Sequence, residues 1–378
     1  MRATVERSHL LRSLGHVHRV VERRNTIPIL SNVLVRADAG RLTLKATDLD
    51  LEVTDTVAAE VGRAGATTVP AHILHDIVRK LPDGAEVSLD TGDGSQLTLK
   101  SGRSRFTLQV LPEADFPDLT TGEFPTRFQL PAGTLKKLID RTQFAISTEE
   151  TRYYLNGIYL HAVTVDKKPM LRAVATDGHR LAQAQFEAPA GSEKMTGVIV
   201  PRKAVGEIQK LVEGGGDTPV DIELSDTKIR VTVAGSGGAG DVVLTSKLID
   251  GTFPDYGRVI PQGNDKILKV ARAEFADAVD RVSTISSERG RAVKLGLSDG
   301  KMTLSVNNPD SGSAVEEIGV DYGSDDIEIG FNSRYLLDVA GQLETGNAEF
   351  RFADPGSPTL ILDEGASDAL YVLMPMRV

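Results

Sequence analysis

The sequence predicts an α+β protein built from three tandem copies of one domain, each with two helices packed on antiparallel sheet. Three observations carry that expectation. The first is length: 378 residues exceed one ordinary core, so two or three domains are expected. The second is a recurring order along the chain: strand, amphipathic helix, several strands, second helix, further strands. The third is spacing. Thr47, Thr176 and Asn307 lie 129 and 131 residues apart, and Pro70, Pro201 and Asn332 lie 131 and 131 apart. A period of about 130 residues is too long for a solenoid unit and marks the repeat of a whole domain.

The first helices read ERSHLLRSLGHVHRVV, PAGTLKKLIDRTQFAIS and ARAEFADAVDRVSTIS. Apolar residues recur there at helical spacing: Leu10, Leu11, Leu14; Leu135, Leu138, Ile139; Phe275, Val279, Val282. Paired alternating strands follow each, with central turn signals at Asp38–Gly40, Asp166–Pro169 and Asp299–Gly300, as hairpins require. The second helices lie in VPAHILHDIVRKL, VPRKAVGEIQKLV and FNSRYLLDVAGQL. Proline suits a first helical turn, where its missing N–H would be unpaired anyway. The repeat restarts after two turn-rich stretches, near 116–126 and 250–265, each carrying Phe-Pro-Asp. The expected domains are therefore 1–125, 126–257 and 258–378.

Composition narrows the function classes. With no cysteine there is no disulfide framework, cysteine nucleophile or thiolate metal site. No apolar run approaches the roughly 18 residues of a membrane span, and the N-terminal MRATVERSHLLRSLG lacks a secretory apolar stretch; a cytoplasmic location fits. The net charge of −10 argues at first against DNA, since phosphate neutralisation calls for a basic face. The charge is uneven, however. Arg7, Arg12, Arg19, Arg23 and Arg24 stand with three histidines against one acid, Glu22, while acids crowd at 217–226 and 321–328. Basic stripes on an acidic body and solvated faces on an acidic enzyme both fit this pattern.

Other motifs read as structure. Gly235, Gly237 and Gly240 spell GxGxxG, but strand-like DVVLTSKLI follows where a dinucleotide site needs a helix, so a hairpin loop is expected. Asp177 with His179, and His16 with His18, lack a third ligand at useful spacing, and no nucleophile stands beside a base. Asp48 and Asp50 belong to a turn at the repeat position of Asp177. The C-terminal VLMPMRV is too apolar for a free tail, and methionine suits a groove that accepts several partners; a last core strand is the plainer alternative.

Several words of the sequence are more specific: TIPIL at 26–30, SGRSRF at 101–106, YYLNG at 153–157, TDGHRLA at 176–182, FPDY at 253–256, NNP at 307–309 and MPMR at 374–377. In this order, on this threefold repeat, the chain resembles the bacterial beta sliding clamps, the processivity subunits of the replicative polymerase. The resemblance implies a non-catalytic protein without cofactor or metal. It implies a head-to-tail homodimer whose six domains close a ring around double-stranded DNA, independent of sequence. It further implies that the polymerase catalytic subunit, the clamp loader and repair proteins dock through short linear motifs.

The resemblance also assigns residues. Helices lining the hole would present Arg7, Arg12, Arg19, Arg79, Lys80, Lys136, Lys137, Arg141, Arg202, Lys203 and Lys210 to phosphate, while the first helix of the third domain departs, its Arg272 and Arg281 outnumbered by Glu274, Asp277 and Asp280. Tilted DNA would touch Arg24, Tyr153 and Tyr154; Glu149 stands where a neutral amide would serve better. The dimer contact resembles Arg103, Arg105, Phe106 and Leu108 against Ile285, with Glu316 and Glu317 as partners for the arginines. The client pocket resembles an apolar lining of Leu155, Thr176, Gly178, Leu181, Pro254, Val259, Val372, Leu373, Met374, Pro375 and Met376, edged by His179, Arg180, Arg258, Asn332, Tyr335 and Arg377. Gly290, Gly356 and Pro358 replace bulkier or hydroxyl side chains and open one wall. Two rivals remain, an enzyme on the same repeat and a binding scaffold that never encloses DNA. Retention on circular but not linear DNA separates the last from a clamp.

Overall fold

The computed structural model describes residues 1–378 apart from 93, 120, 236–239, 287–290, 367 and 378; Gly237, Gly290 and Val378 thus lie outside the described residues. All six expected helices form: α1 Arg7–Val17, α2 Ala71–Lys80, α3 Ala132–Asp140, α4 Arg202–Val212, α5 Arg272–Ser283 and α6 Ser333–Ala340. None is long and apolar enough to cross a membrane. The chain forms two compact units, one of residues 1–136, 189–192 and 206–248, the other of 137–188, 193–205 and 249–378.

In the first unit, α1 buries Leu10, Leu14 and Val17 completely, the stripe expected of an amphipathic helix. The Glu6 carboxylate accepts from the N–H groups of Ser8 and His9 at 3.0 and 3.2 Å and so caps the helix start. These hydrogen bonds, with the Ser8 hydroxyl foremost, hold Glu6 below the usual carboxylate range. Arg7 corrects one expectation. Its Nε and Nη2 donate to the carbonyls of Val78 and Arg79 at 3.1 and 2.7 Å, and Nη1 meets Asp83 at 2.6 Å. It caps the end of α2 instead of facing phosphate, whereas Arg12 and Arg19 are exposed.

The hairpins follow the turn signals. Ala39 and Gly40 take φ of 45° and 74°, the left-handed pair that a two-residue hairpin demands. The GxGxxG stretch lies between strands Lys228–Val233 and Val242–Lys247, paired with Val233 opposite Val242. A Cβ on Gly240 would stand 2.8 Å from the Thr56 carbonyl, so that glycine permits close approach of two backbones.

What the repeat did not foretell is how sheets cross its boundaries. Val242–Lys247, from the central repeat, pairs antiparallel with Leu51–Ala58 of the first, Leu244 facing Val53. This makes one eight-stranded sheet. In the second unit Ala369–Leu373 pairs in the same way with Arg180–Glu187, Leu181 facing Val372, within a nine-stranded sheet. The last strand of one repeat thus joins the fourth strand of the repeat before it. Two strands of the same kinds stay at sheet ends: Ser104–Gln109, closing a five-stranded sheet, and Gly312–Gly319, closing a four-stranded one.

Candidate functional site

The second joint gathers most of the residues expected for the pocket. Leu181, Val372 and Leu360 are direct cross-strand neighbours on three adjacent strands, so their side chains share one face. With Leu155, Val174, Ile199 and Phe253 they form one buried apolar cluster. Val259, next to the Ile260 that packs on this cluster, and Met374, two residues past Val372, remain 50% and 40% exposed. Leu373 departs from the expected lining. It pairs with Arg180 and Thr359, one residue out of phase with Val372, and is 1% exposed, so it belongs to the core of the opposite face.

A tight turn borders this cluster. The Thr176 hydroxyl donates to the Arg180 carbonyl at 2.7 Å, and Asp177 Oδ1 accepts from the N–H groups of His179 and Arg180. Gly178 has φ of +88°, a conformation that favours glycine, and a Cβ there would meet only the tip of the Arg152 side chain, Nη1 at 2.6 Å. Beyond the joint strand, Met374 N–H donates to the His179 carbonyl at 2.9 Å and Met376 N–H to that of Gly330 at 2.8 Å. The C-terminal segment is therefore pinned at two points, with Pro375 and Met376 half-buried and Arg377 exposed.

Arg180, expected as a rim charge, is an internal brace. Its guanidinium donates to Asp177 at 3.1 Å, Asp338 at 2.5 Å and the Phe144 carbonyl at 2.6 Å. It also lies over the Tyr335 ring at 4.1 Å and the Phe144 ring at 5.1 Å. A planar fork that both chelates and stacks is a role lysine cannot fill. Beside it opens a cavity of about 710 Å³. The expected His179, Arg180, Asn332 and Tyr335 line it, and so do Phe144, Thr148, Arg202, Arg291 and Arg334, of which only Arg202 was singled out, and for DNA. Arg202, Arg291 and Arg334 line it together with Glu149, Asp177 and Asp338, so both signs of charge meet in the cavity. A partial signal for Arg334 existed: Asn332 is the repeat equivalent of Pro70 and Pro201 and caps α6 through the Arg334 N–H at 3.0 Å. Pro254 and Arg258 are exposed, Arg258 with Asp255 at 2.7 Å.

The expected DNA contacts divide. Arg24 is exposed; Tyr153 is 53% exposed and stands edge-on to Tyr154 at 5.7 Å. Lys137 is exposed and faces Glu344 at 3.4 Å, while Lys136 and Lys203 are half-buried. Arg141 is a correction: 4% exposed, it is held by Asp368 at 2.6 Å and Glu344 at 3.1 Å. A cation so enclosed is a structural tie and unavailable to phosphate. Glu149 is occupied by Arg152 at 2.7 Å, a pairing that holds its carboxyl below the usual range.

At the sheet ends, Phe106 and Leu108 are half-buried on one face of Ser104–Gln109, with Arg103 and Arg105 exposed. Ile285 follows α5 half-buried, its carbonyl accepting from Asn308 Nδ2 at 2.8 Å. The expected acidic partners are already engaged within the chain. Glu316 is held by Arg281 at 2.5 Å and Glu317 by Lys301 at 3.5 Å.

Three family descriptions cover the chain in order: DNA polymerase III beta subunit, N-terminal domain, over residues 1–120; its central domain over 129–255; its C-terminal domain over 257–377. The chain belongs to the bacterial beta sliding clamps. It is 54% identical to the beta sliding clamp of Caulobacter vibrioides and 41% identical to that of Escherichia coli, covering 100% of both chains each time. A solved structure, a DnaN sliding clamp (DNA polymerase III subunit beta) from Bartonella birtlesii bound to griselimycin, is similar with a TM-score of 0.95 and 59% identity over 100% of both chains. As a sliding clamp the protein is a non-catalytic processivity factor. Clamps of this family form homodimers, encircle DNA and bind the polymerase and other partners.

Proposed function

We propose that ring closure repeats, between two copies, the joint that each chain already makes twice within itself. Inside the chain the last strand of one repeat pairs with the fourth strand of the repeat before it. The unpaired members of that series are Ser104–Gln109 and Gly312–Gly319. Setting the first beside the second of another copy gives a heterologous contact; made twice, it closes a ring and removes both sheet edges. Phe106, Leu108 and Ile285 supply its apolar part, flanked by Arg103 and Arg105. The repeats on this reading are 1–125, 126–257 and 258–378. A closed ring holds DNA by linkage, so weak contacts from Arg24, Tyr153, Tyr154, Lys136, Lys137, Arg202 and Lys203 suffice, and tight ones would slow sliding. The acidic remainder resists adsorption to DNA from outside, as suits a cytoplasmic replication protein.

The groove over Leu155, Leu181 and Val372, with Thr176, Gly178, Pro254, Val259, Met374, Pro375 and Met376 around it, takes the client peptide. His179, Arg258, Asn332, Tyr335 and Arg377 orient it. Two buried anchors such as leucine and phenylalanine contribute roughly 1.5–3 kcal/mol each. With a few backbone hydrogen bonds this reaches micromolar binding, about −8 kcal/mol, weak enough for partners to exchange. The repeated joint carries the reading. Its test is retention on nicked circular DNA and release when the circle is cut; equal retention on both forms would show that the protein does not enclose DNA.

A further inference from the structure

The wall of the groove that carries Pro254 and Val259 is held in an unusual way. No backbone–backbone hydrogen bond joins residues 250–263 to another element among the described residues. The segment contains a single short turn, Tyr256–Val259. Its place is therefore fixed by side chains: Ile260 packs on the apolar cluster, and Phe253 and Tyr256 reach one row of the sheet. Phe253 stacks on Tyr159 at 4.9 Å, and Tyr159 stacks on His161 at 4.5 Å. Tyr159 and His161 are two residues apart on strand Gly157–Val165, hence on the same sheet face. Tyr256 then reaches back to the same row, its hydroxyl 2.9 Å from His161 Nε2 and 3.0 Å from Arg172 Nη1.

Arg172 can only donate, so the Tyr256 oxygen accepts from it, and toward a neutral imidazole the phenol proton goes to His161 Nε2. That requires the neutral ring with its proton on Nδ1, which lies 3.2 Å from the Ala162 carbonyl. Burial, opposed by that carbonyl and reinforced by Arg172, lowers the His161 pKa and keeps the ring neutral. Arg172 is fixed in turn by Gln185 Oε1 at 2.9 and 2.6 Å. His161, Arg172 and Gln185 are successive cross-strand neighbours, so three strands of the sheet converge on one phenol.

We infer that Tyr256, His161 and Arg172 are positioning residues for client binding: their relay, in place of backbone pairing, holds the Pro254–Val259 wall against the apolar floor. The inference rests on the groove being the client site. None of the three need touch the peptide. The phenol hydroxyl fixes how far the wall stands from Leu181 and Val372, and so the width an apolar anchor meets.

The test uses the full-length dimer and a synthetic peptide ending in leucine and phenylalanine. Tyr256→Phe keeps the ring and its packing but removes the hydroxyl. His161→Leu removes the acceptor, and His161→Gln restores one without a ring. Tyr256→Phe and His161→Leu should each weaken binding about five- to tenfold, the loss of one neutral hydrogen bond, mainly through faster dissociation. His161→Gln should stay within twofold of wild type, and sedimentation should show a dimer throughout. Binding within twofold of wild type in Tyr256→Phe and His161→Leu overturns the inference, as does a fall in Tm with affinity unchanged, which marks a purely structural contact. Deleting residues 374–378 separates the two readings. Unchanged affinity in the deletion overturns the groove and the relay together; lost affinity there, with Tyr256→Phe unaffected, overturns the relay alone.

Discussion

Two kinds of strand end meet in this chain. Val242–Lys247 and Ala369–Leu373 are sealed against neighbours more than a hundred residues away in sequence, Leu244 on Val53 and Val372 on Leu181, all at most 3% exposed. Ser104–Gln109 and Gly312–Gly319 have the same places in the repeat but lie at sheet ends, where Phe106 and Leu108 stay half-buried and Val315 is 67% exposed. The sealed joints enclose their charges, Glu52 with Lys45 at 3.1 Å, Asp55 with His16 at 2.7 Å and Arg180 with Asp338 at 2.5 Å, whereas the open strands keep Arg105 and Glu317 exposed. Charges on an edge strand discourage indiscriminate pairing, and here they leave room for one specific pairing.

The comparison breaks first at the open strands. Phe106→Ala with Ile285→Ala should yield monomers by sedimentation and abolish retention on circular DNA. Truncations of this kind cost about 2–5 kcal/mol each once buried, and an intact dimer would remove these residues from the interface. Deleting residues 374–378 spares the joint strand Ala369–Leu373. Peptide titration should show client binding lost while the dimer persists.

Arg180→Ala tests the sealed side. The residue opens the joint strand and is only 11% exposed, with Asp177 and Asp338 as partners. Its loss leaves two carboxylates uncompensated, so urea unfolding should report a destabilisation of roughly 2–4 kcal/mol, with client binding weakened as well. Arg180→Lys should recover little of either.

The smallest effect concerns α1 and α2, away from either kind of strand. His18 stacks on His75 at 3.8 Å, and burial lowers His18 to about 4 and pushes His75 down as well. Both rings are neutral in the fold, whereas the unfolded chain titrates near 6.5. The unfolded state thus binds more protons in that window, and stability is lost as pH falls from about 6.5 towards 4. Tm measured down the pH range should fall less steeply in His18→Gln than in wild type; equal slopes would mean the stack does not titrate with folding.

Much of this was legible in the sequence because it is local. The helices announce themselves through apolar spacing, and the hairpins through turn signals such as Asp299–Gly300. The joints were not legible, since strands paired across the boundary of a repeat leave no period in either segment. Arg7 and Arg141 show the limit for charge. A basic residue on a helix reads alike whether it faces water or an acid such as Asp368, 227 residues on. Arg180 reads in the sequence as an edge charge, but Asp338 and Tyr335 reach it from a distant helix and make it a brace. Arg291 and Arg334 were missed for the same reason.

The repeated joint has a consequence for where such an assembly comes apart. Two of every three joints are tied by the polypeptide itself, so their strands meet at an effective concentration set by the connecting chain and do not respond to dilution. The third has no such tether and follows protomer concentration by mass action. On the proposed closure, one strand geometry used three times yields two permanent seams and one reversible one. Prising the ring open, or starving it of protomers, should always part it at Phe106 and never at Leu244.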